Sequence, residues 1–255
     1  MYSVQHLHQR LFPMKLSSTM LPTAKLRLCV LFLTALAPQP LKRWILRTAF
    51  GYRIGRGVRI GLSILDTQSC EIGDGVVIGH GNLFIGTRRV RIGRQAQVGH
   101  LNVFRGGEEL VLGAGSEVLR LNVINSIVDP DVTNPIDPRF SLGDGATVTE
   151  GHKFDFTDRI SIGAGTIVAG RHSSFWTHIR QQTRPISIGS SCYIGSGVQC
   201  APGSAIPDQS VVGMGAVVVD AFDAPDTLIA GVPARVVKGL DESHQPLLRV
   251  VKGPQ

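Results

Sequence analysis

The sequence has few aromatic residues, and its first quarter has no acidic residues. Aromatic side chains make up 6% of the 255 residues, against 43% hydrophobic residues and 30 glycines. This composition favours an elongated β-solenoid over a helical bundle. No Asp or Glu occurs in residues 1–65, which hold ten of the 26 Lys and Arg residues, so 16 basic and 19 acidic residues remain for the rest of the chain. The formal charge of +7 therefore comes from an N-terminal arm. A basic arm of this kind is typical of a contact with anionic lipid or with an acidic partner, or of a solvated extension.

The sequence also lacks paired cysteines and any apolar run long enough to cross a bilayer. None of its four cysteines forms a CxxC motif, which fits a reducing compartment (Cys29, Cys70, Cys192, Cys200). Residues 28–37 (LCVLFLTALA) are strongly apolar, but a membrane span needs roughly 20 residues. With Lys25 and Arg27 ahead of them, they also have the pattern of a secretory signal.

A short amphipathic helix is predicted at residues 41–50 (LKRWILRTAF), after Pro38 and Pro40. Its apolar side would hold Leu41, Trp44, Ile45 and Ala49. Such a helix can lie in a membrane interface, or it can cover the open end of a solenoid, which needs a cap. Both interpretations stay open at this point.

An aliphatic residue, usually followed by Gly, returns every six residues through residues 54–218. One run is Ile188, Ile194, Cys200, Ile206, Val212 and Val218. A step of six is not a helical stripe, and it matches one flat side of a three-sided coil whose apolar residue points inward. Stacked coils of this kind bury a continuous core. The sequence therefore predicts an all-β parallel β-helix of hexapeptide repeats, preceded by a short helical segment.

Coil starts are predicted at residues 72, 92, 112, 142, 162, 188 and 206. Three of the six steps contain twenty residues and the last contains eighteen, but the steps after 112 and 162 contain ten and six more than twenty. Two loops should therefore leave the column, near 125–141 and near 175–187, and loops on a rigid scaffold often carry function. We expect three regions: an arm with a cap helix (1–50), the β-helix (51–220) and a C-terminal segment with its tail (221–255).

A ladder of polar residues is predicted inside the column. Four positions after the aliphatic residue of the second side come Asn82, Asn102, Asn122, His152 and His172. Stacked inward amides can satisfy one another, as buried polar groups require. The alternative is that His152 or His172 emerges near an active site and orients it.

His178 lies in the second predicted loop, after Phe175 and Trp176 and before Arg180. A loop imidazole beside aromatic residues is a better candidate for a general base than a histidine inside the ladder, since its ordinary pKa lies near neutrality.

The chain resembles the left-handed β-helix hexapeptide-repeat acyltransferases, which include galactoside, maltose and serine acetyltransferases, over residues 50–240. Within that group it is most similar to sugar O-acetyltransferases of polysaccharide biosynthesis. The most specific motifs are FWTH at 175–178, PISIGSSCYIGSGVQCAPGSAIPDQSVVGMGAVVV at 185–219 and LIAGVPARVVKG at 228–239. The left hand of the helix is implied by the resemblance alone.

The resemblance implies roles for individual residues. His178 would be the catalytic base, and Trp176 and Arg180 would contact the acceptor. The cofactor-binding residues would be Gly195, Ser196, Gly213, Met214, Arg235 and Lys238, with Met214 where Ala is usual. Val219-Asp220 stands where the family often has Thr-Lys, so one cation on the phosphate side is missing.

The implied activity is transfer of an acetyl or short acyl group from acetyl-CoA to a hydroxyl of a sugar, glycolipid or polysaccharide precursor. Direct attack in a ternary complex is expected, with a backbone N–H near Gly195 or Ser196 holding the oxyanion. A cytoplasmic homotrimer with pockets between its chains is implied, in peripheral contact with the inner face of the membrane through the arm. No metal and no nucleic-acid partner are expected.

Two other functions share this fold. A γ-carbonic-anhydrase-like enzyme would need three histidines that converge on zinc, and no histidine follows His172 and His178 at a matching spacing on the next coil. A non-catalytic β-helix scaffold is the second alternative, because fold does not fix function.

Overall fold

The computed structural model describes residues 24–128 and 130–241. The first 23 residues of the predicted arm, Asp129 and residues 242–255 of the tail lie outside the described residues. The division of the chain at residues 50 and 220 stays a prediction.

Two short helices precede 28 strands in the described part of the chain. The helices are α1 (Ala24–Leu36) and α2 (Gln39–Thr48). The strands are β1 (Arg53–Ile54), β2 (Arg59–Ile60), β3 (Ile64–Asp66), β4 (Ser69–Ile72), β5 (Val77–Ile78), β6 (Leu83–Ile85), β7 (Arg89–Ile92), β8 (Gln97–His100), β9 (Val103–Arg105), β10 (Glu109–Leu112), β11 (Glu117–Arg120), β12 (Val123–Asn125), β13 (Arg139–Leu142), β14 (Thr147–Glu150), β15 (Lys153–Asp155), β16 (Ile160–Ile162), β17 (Ile167–Val168), β18 (Ser174–Trp176), β19 (His178–Ile179), β20 (Gln182–Thr183), β21 (Ile186–Ile188), β22 (Tyr193–Ile194), β23 (Gln199–Cys200), β24 (Ala205–Ile206), β25 (Val211–Val212), β26 (Val217–Val218), β27 (Thr227–Gly231) and β28 (Ala234–Gly239).

The strands form three long sheets, and successive strands of the column fall on successive sheets. Sheet A contains β1, β4, β7, β10, β13, β16, β21 and β24; sheet B contains β2, β5, β8, β11, β14, β17, β22, β25, β27 and β28; sheet C contains β3, β6, β9, β12, β15, β18, β23 and β26. Neighbouring strands are parallel except in the pair β27–β28. The chain is therefore a three-sided parallel β-helix of eight complete coils, as the six-residue period predicts.

The register confirms the predicted coil starts. The aliphatic residues at 72, 92, 112, 142, 162, 188 and 206 lie directly above one another on sheet A, and Ile54 begins one further coil before them. All belong to one apolar core that runs the length of the column. The hand of the coil stays an expectation from the resemblance.

Helix α2 lies against the first coil, whose outer edge has no preceding strand. The Lys42 ammonium donates hydrogen bonds of 2.8 Å to the carbonyls of Ile60 and Gly61, and the Gln39 side-chain amide exchanges two hydrogen bonds with Ile60. These contacts satisfy backbone groups at a sheet edge that would otherwise be open to pairing.

The predicted apolar side of this helix is only partly buried. Leu41 and Trp44 are 46% and 61% exposed, whereas Lys42 and Leu46 are buried. The edge carbonyls bind the Lys42 ammonium, so the helix turns its lysine inward. Burial lowers the pKa of Lys42.

The polar ladder forms as predicted as far as His152. Asn82, Asn102, Asn122 and His152 are at most 1% exposed. The Asn82 side-chain oxygen accepts hydrogen bonds of 3.0 Å from the backbone and side-chain nitrogens of Asn102, and the same pattern joins Asn102 to Asn122. Asn122 in turn accepts from the His152 backbone N–H at 2.9 Å.

The prediction for His172 is wrong, because this residue is exposed and Ser173 takes the inward position. The corner between Val168 and Phe175 contains one residue more than the preceding one, between Val148 and Phe154. The ladder position therefore moves by one residue, and the Ser173 N–H donates to His152 Nδ1 at 3.2 Å.

Candidate active site

A β-hairpin leaves the column at the corner between sheets C and A. Strands β19 and β20 pair antiparallel, with His178 opposite Thr183, and a two-residue turn joins them. The first turn residue, Arg180, has a φ of 48°, as tight hairpin turns require. The hairpin uses the extra residues that the coil spacing predicted near 175–187, and it places a half-buried His178 outside the core.

The hairpin and the loop 126–138 line one cavity of about 540 Å³. Ile127, Pro130 and Asp131 line it from the loop, and His178, Arg180 and Gln181 line it from the hairpin. The two insertions predicted from the coil spacing therefore meet at one place. This cavity is the candidate acceptor site, because it combines an imidazole, a carboxylate and a guanidinium.

Thr183 fixes the hairpin to the loop. Its backbone N–H donates to the Asn134 side-chain oxygen at 2.9 Å, and its hydroxyl accepts from the Asn134 side-chain nitrogen at 3.0 Å. Next to this contact, the Thr133 N–H donates to the Gln181 carbonyl at 2.8 Å. The strand that pairs with His178 is thus held by hydrogen bonds on its other side.

A buried carboxylate completes this attachment. Asp158, which is 7% exposed, accepts from the Thr183 hydroxyl at 3.0 Å through one oxygen. Its other oxygen accepts from the backbone N–H groups of Asp137 and Arg159, at 3.3 and 2.8 Å. The loop, the hairpin and the start of β16 therefore meet at one side chain.

The His178 imidazole has no hydrogen-bond partner within residues 24–128 and 130–241. No carbonyl or polar side chain in the described part of this chain therefore holds either ring nitrogen. Both ring nitrogens remain available to an acceptor and to a neighbouring molecule.

Trp176 and Phe175 have opposite environments. Phe175 is fully buried and stacks on Phe154 with ring centroids 4.5 Å apart, so its role is packing. Trp176 points outward from sheet C, is 36% exposed, and carries the Lys153 ammonium 4.4 Å above its ring. An exposed indole beside a cation leaves Trp176 as a candidate for sugar contact.

The predicted cofactor residues Gly195, Ser196, Gly213 and Met214 lie on a different corner, between sheets B and C. Ile194 and Val212 pair directly, so Ser196 and Met214 occupy the same position on successive coils, as their spacing of eighteen residues predicts. A Cβ on Gly195 would lie 2.8 Å from the Met214 nitrogen. The glycine thus permits the close stacking of the two coils.

Two backbone N–H groups on this corner have no partner in the described part of the chain, those of Ser196 and Met214. The Gly195 N–H donates to the Val212 carbonyl at 2.9 Å and is therefore not available as an oxyanion donor. Of the two donors named from the sequence, the Ser196 N–H remains. Both Ser196 and Met214 are exposed, Met214 to 82%.

Arg235 and Lys238 lie on β28, next to the last turn of the column. The Arg235 guanidinium donates to the Asp220 carboxylate at 3.1 Å. Asp220, which stands where the resemblance implies a lysine, thus partly neutralises Arg235. Both partners are more than half exposed, so solvent screens the pair.

His178 and the cofactor corner lie at opposite ends of the strands of sheet C, and therefore at two different corners of the column. Gly195 and Ser196 precede a strand of sheet C, whereas His178 follows one. A single chain therefore does not bring the predicted base and the predicted cofactor residues together.

Neither a metal cluster nor a membrane-spanning helix is found in the part of the chain that the structure describes. No group of three His, Cys, Asp or Glu side chains is placed to hold a metal ion there. The helices α1 and α2 are both too short to cross a bilayer.

Sequence reasoning missed the residues that hold the hairpin, namely Asn134, Asp158 and Thr183. Their hydrogen bonds join residues that are 25 to 49 positions apart, and no repeat marks them. The excess of residues in the two loops was the only available signal, and it located the region without its contacts.

No protein-family profile matches the sequence. The chain is similar to the galactoside O-acetyltransferase of Escherichia coli strain K12, with 41% identity over 58 residues. These residues are 23% of this chain and 28% of that protein. The match thus spans less than a third of the length of the curated relative.

Three solved structures share the architecture. The polySia-specific acetyltransferase NeuO is 18% identical, with 74% of this chain and 85% of that chain covered and a TM-score of 0.48. A hexapeptide-repeat acetyltransferase of Vibrio cholerae O1 biovar eltor, complexed with acetyl coenzyme A, is 16% identical with 87% and 92% covered and a TM-score of 0.36. A maltose O-acetyltransferase of Clostridium difficile 630 is 16% identical with 86% of both chains covered and a TM-score of 0.32.

Because these TM-scores are below 0.5, the fold of this chain is established by its own strand pairing and not by these structures. The resemblance to hexapeptide-repeat acyltransferases, seen first in the sequence motifs, is confirmed by the curated relative.

Proposed function

We propose that this protein transfers an acetyl or short acyl group from acetyl-CoA to a hydroxyl of a sugar, glycolipid or polysaccharide precursor. The observation that carries the proposal is the His178 imidazole, which the hairpin holds at a cavity outside the core with both ring nitrogens unoccupied by described residues. The similarity to a galactoside O-acetyltransferase supports the choice of a sugar hydroxyl.

His178 takes the proton of the acceptor hydroxyl. The hydroxyl oxygen attacks the thioester carbonyl carbon, and a tetrahedral oxyanion forms. When the carbon–sulfur bond breaks, the imidazolium returns its proton to the departing thiolate, so the ring ends neutral. No acyl-enzyme is involved. The cavity walls supply Asp131 and Arg180 to orient the acceptor, and Trp176 offers an exposed ring to a sugar face.

Acetyl-CoA binds along the corner that holds Ser196 and Met214 in this proposal. The free N–H groups of these two residues are donors for the amide carbonyls of the pantetheine arm, and the Ser196 N–H also suits the oxyanion. Arg235 and Lys238 lie toward the phosphates. Because His178 lies across sheet C from this corner, the complete site contains His178 of one copy and the corner of another, in a homotrimer. Use of acetyl-CoA places the reaction in the cytoplasm.

The test is acceptor-dependent release of free thiol from acetyl-CoA with a panel of sugars. His178→Ala is expected to lower the rate by about 10²- to 10⁴-fold, which is the usual contribution of general acid–base catalysis. His100→Gln is the matched control, because His100 is also exposed but lies three coils nearer the N terminus. Thiol release by His178→Ala at the rate of the unmodified protein would exclude the assignment. Failure of the intact protein to bind a CoA matrix would favour a scaffold.

A further inference from the structure

The outer half of helix α1 is apolar and is exposed among residues 24–128 and 130–241. Helix α1 packs one side on the column through Leu31, Thr34 and Ala35. The opposite side is exposed by 43% to 66%, and its large residues are Leu26, Leu28, Phe32, Leu33 and Leu36. A helix that is apolar all round is normally buried or in contact with lipid.

Helix α2, which packs against α1, also has exposed apolar residues. Leu41 and Trp44, on the predicted apolar side of α2, are 46% and 61% exposed. Together with the five residues of α1 they form what we call the end surface (Leu26, Leu28, Phe32, Leu33, Leu36, Leu41, Trp44). Exposed apolar residues on a water-soluble surface are usually scattered singly, and a contiguous patch marks an interaction site.

The charge around the end surface is positive. No acidic residue occurs in the sequence before Asp66. Arg43, Arg47 and Arg59 lie on α2 and β2 without an ion-pair partner among the described residues. Arg47 uses its guanidinium on the Ile54 carbonyl, so its charge is not neutralised. Two copies that packed end to end through this surface would bring like charges together.

We propose that the end surface binds an anionic lipid bilayer. The apolar residues of α1 and α2 enter the interface between headgroups and acyl chains, and the surrounding arginines contact the anionic headgroups. Both components are needed for stable peripheral binding: the apolar residues are buried in the interface, and the basic residues are attracted to the anionic surface. The eight-coil column then projects away from the bilayer.

The test is co-sedimentation of the full chain with vesicles of phosphatidylglycerol and phosphatidylcholine, compared with vesicles of phosphatidylcholine alone. We expect binding to the anionic vesicles that weakens as salt is raised. Phe32→Ser combined with Leu33→Ser should lower the partition coefficient about tenfold or more, since both side chains lose apolar burial. Leu121→Asn is the control, because Leu121 is 54% exposed on a corner of the column and Asn tolerates its positive φ.

A second readout uses fluorescence. Trp44 and Trp176 are the two tryptophans, so Trp176→Phe leaves Trp44 as the sole reporter, and lipids brominated on their acyl chains should quench it. Three results would overturn the proposal: no sedimentation with anionic vesicles at low salt, equal binding by the Phe32/Leu33 variant, or equal binding to phosphatidylcholine. If the Phe32/Leu33 variant forms a smaller oligomer than the unmodified protein in solution without vesicles, the end surface is a contact between copies, and the proposal is overturned in that case too.

Discussion

His152 shows how a single residue of the ladder is tuned by its surroundings. Burial lowers its pKa to about 4, His172 nearby adds to this effect, and a hydrogen bond with the Gly170 backbone and the charge of Glu150 oppose it. Its Nδ1 accepts the Ser173 N–H, and its Nε2 lies 3.0 Å from the Thr149 hydroxyl. The ring is therefore neutral in the folded protein and acts as an Asn would, accepting one hydrogen bond along the column.

We expect His152→Asn to remove one source of acid sensitivity. A histidine whose folded pKa lies below its unfolded value of about 6.5 contributes fully above pH 6.5, and its contribution falls as the pH approaches the folded value. The drop from 6.5 to about 4 corresponds to a loss of up to about 3 kcal/mol. Asn continues the pattern of Asn122 and does not titrate.

The measurement is the melting temperature of both proteins between pH 7 and pH 4. The difference between them should shift in favour of the variant as the pH falls, whatever the carboxylates contribute to both. Parallel curves over this range would show that His152 does not titrate in this way.

At the scale of the element, the hairpin β19–β20 depends on contacts made on the side away from His178. Thr183 lies opposite His178, and its hydroxyl connects Asn134 to the buried Asp158. Thr183 is thus a positioning residue for the imidazole. Thr183 forms no hydrogen bond with Ser196 or Met214.

Thr183→Val should lower the turnover number by about tenfold to a hundredfold, because small displacements of a catalytic group are costly. The KM for acetyl-CoA should change less than about twofold, since Thr183 holds the hairpin and is not one of the proposed cofactor residues. Thr183→Ser keeps the hydroxyl and should restore most of the rate. Steady-state kinetics of the two variants, compared with their melting temperatures, separate this role from a general loss of folding, which would lower the melting temperature of Thr183→Val together with its rate. A rise in KM with an unchanged turnover number would refute the positioning role.

Elements that the six-residue repeat marks could be predicted from the sequence, and elements that it does not mark could not. The coil register was predictable because an inward aliphatic residue returns every six positions, and the two loops appeared as excess residues. The ladder was predictable up to His152 and failed at His172, where one inserted residue shifts the corner. The burial of Lys42 on α2 could not be predicted, because its ammonium binds carbonyls that no local pattern reveals. The docking of Thr183 on Asn134 joins residues 49 positions apart, so no period could indicate it.

At the scale of the whole molecule, the column separates its functional parts along its length and around its circumference. The helices cover the first coil, whereas His178 follows the sixth. Five strand spacings of about 4.8 Å place the hairpin about 24 Å along the column from the capped end. Around the circumference, sheet C separates the imidazole from the cofactor corner. In the proposed enzyme, two copies of the chain therefore share each catalytic site.

The most direct test mixes two inactive variants. His178→Ala lacks the base, and Met214→Trp fills the exposed cofactor corner, where Met214 is 82% exposed. Random co-assembly combines an intact His178 from one variant with an intact corner from the other at one contact in four. The co-purified mixture should therefore recover roughly a quarter of the acceptor-dependent thiol release of the unmodified protein, because each such contact is a complete site. A co-assembled mixture that is no more active than either variant alone would contradict the account.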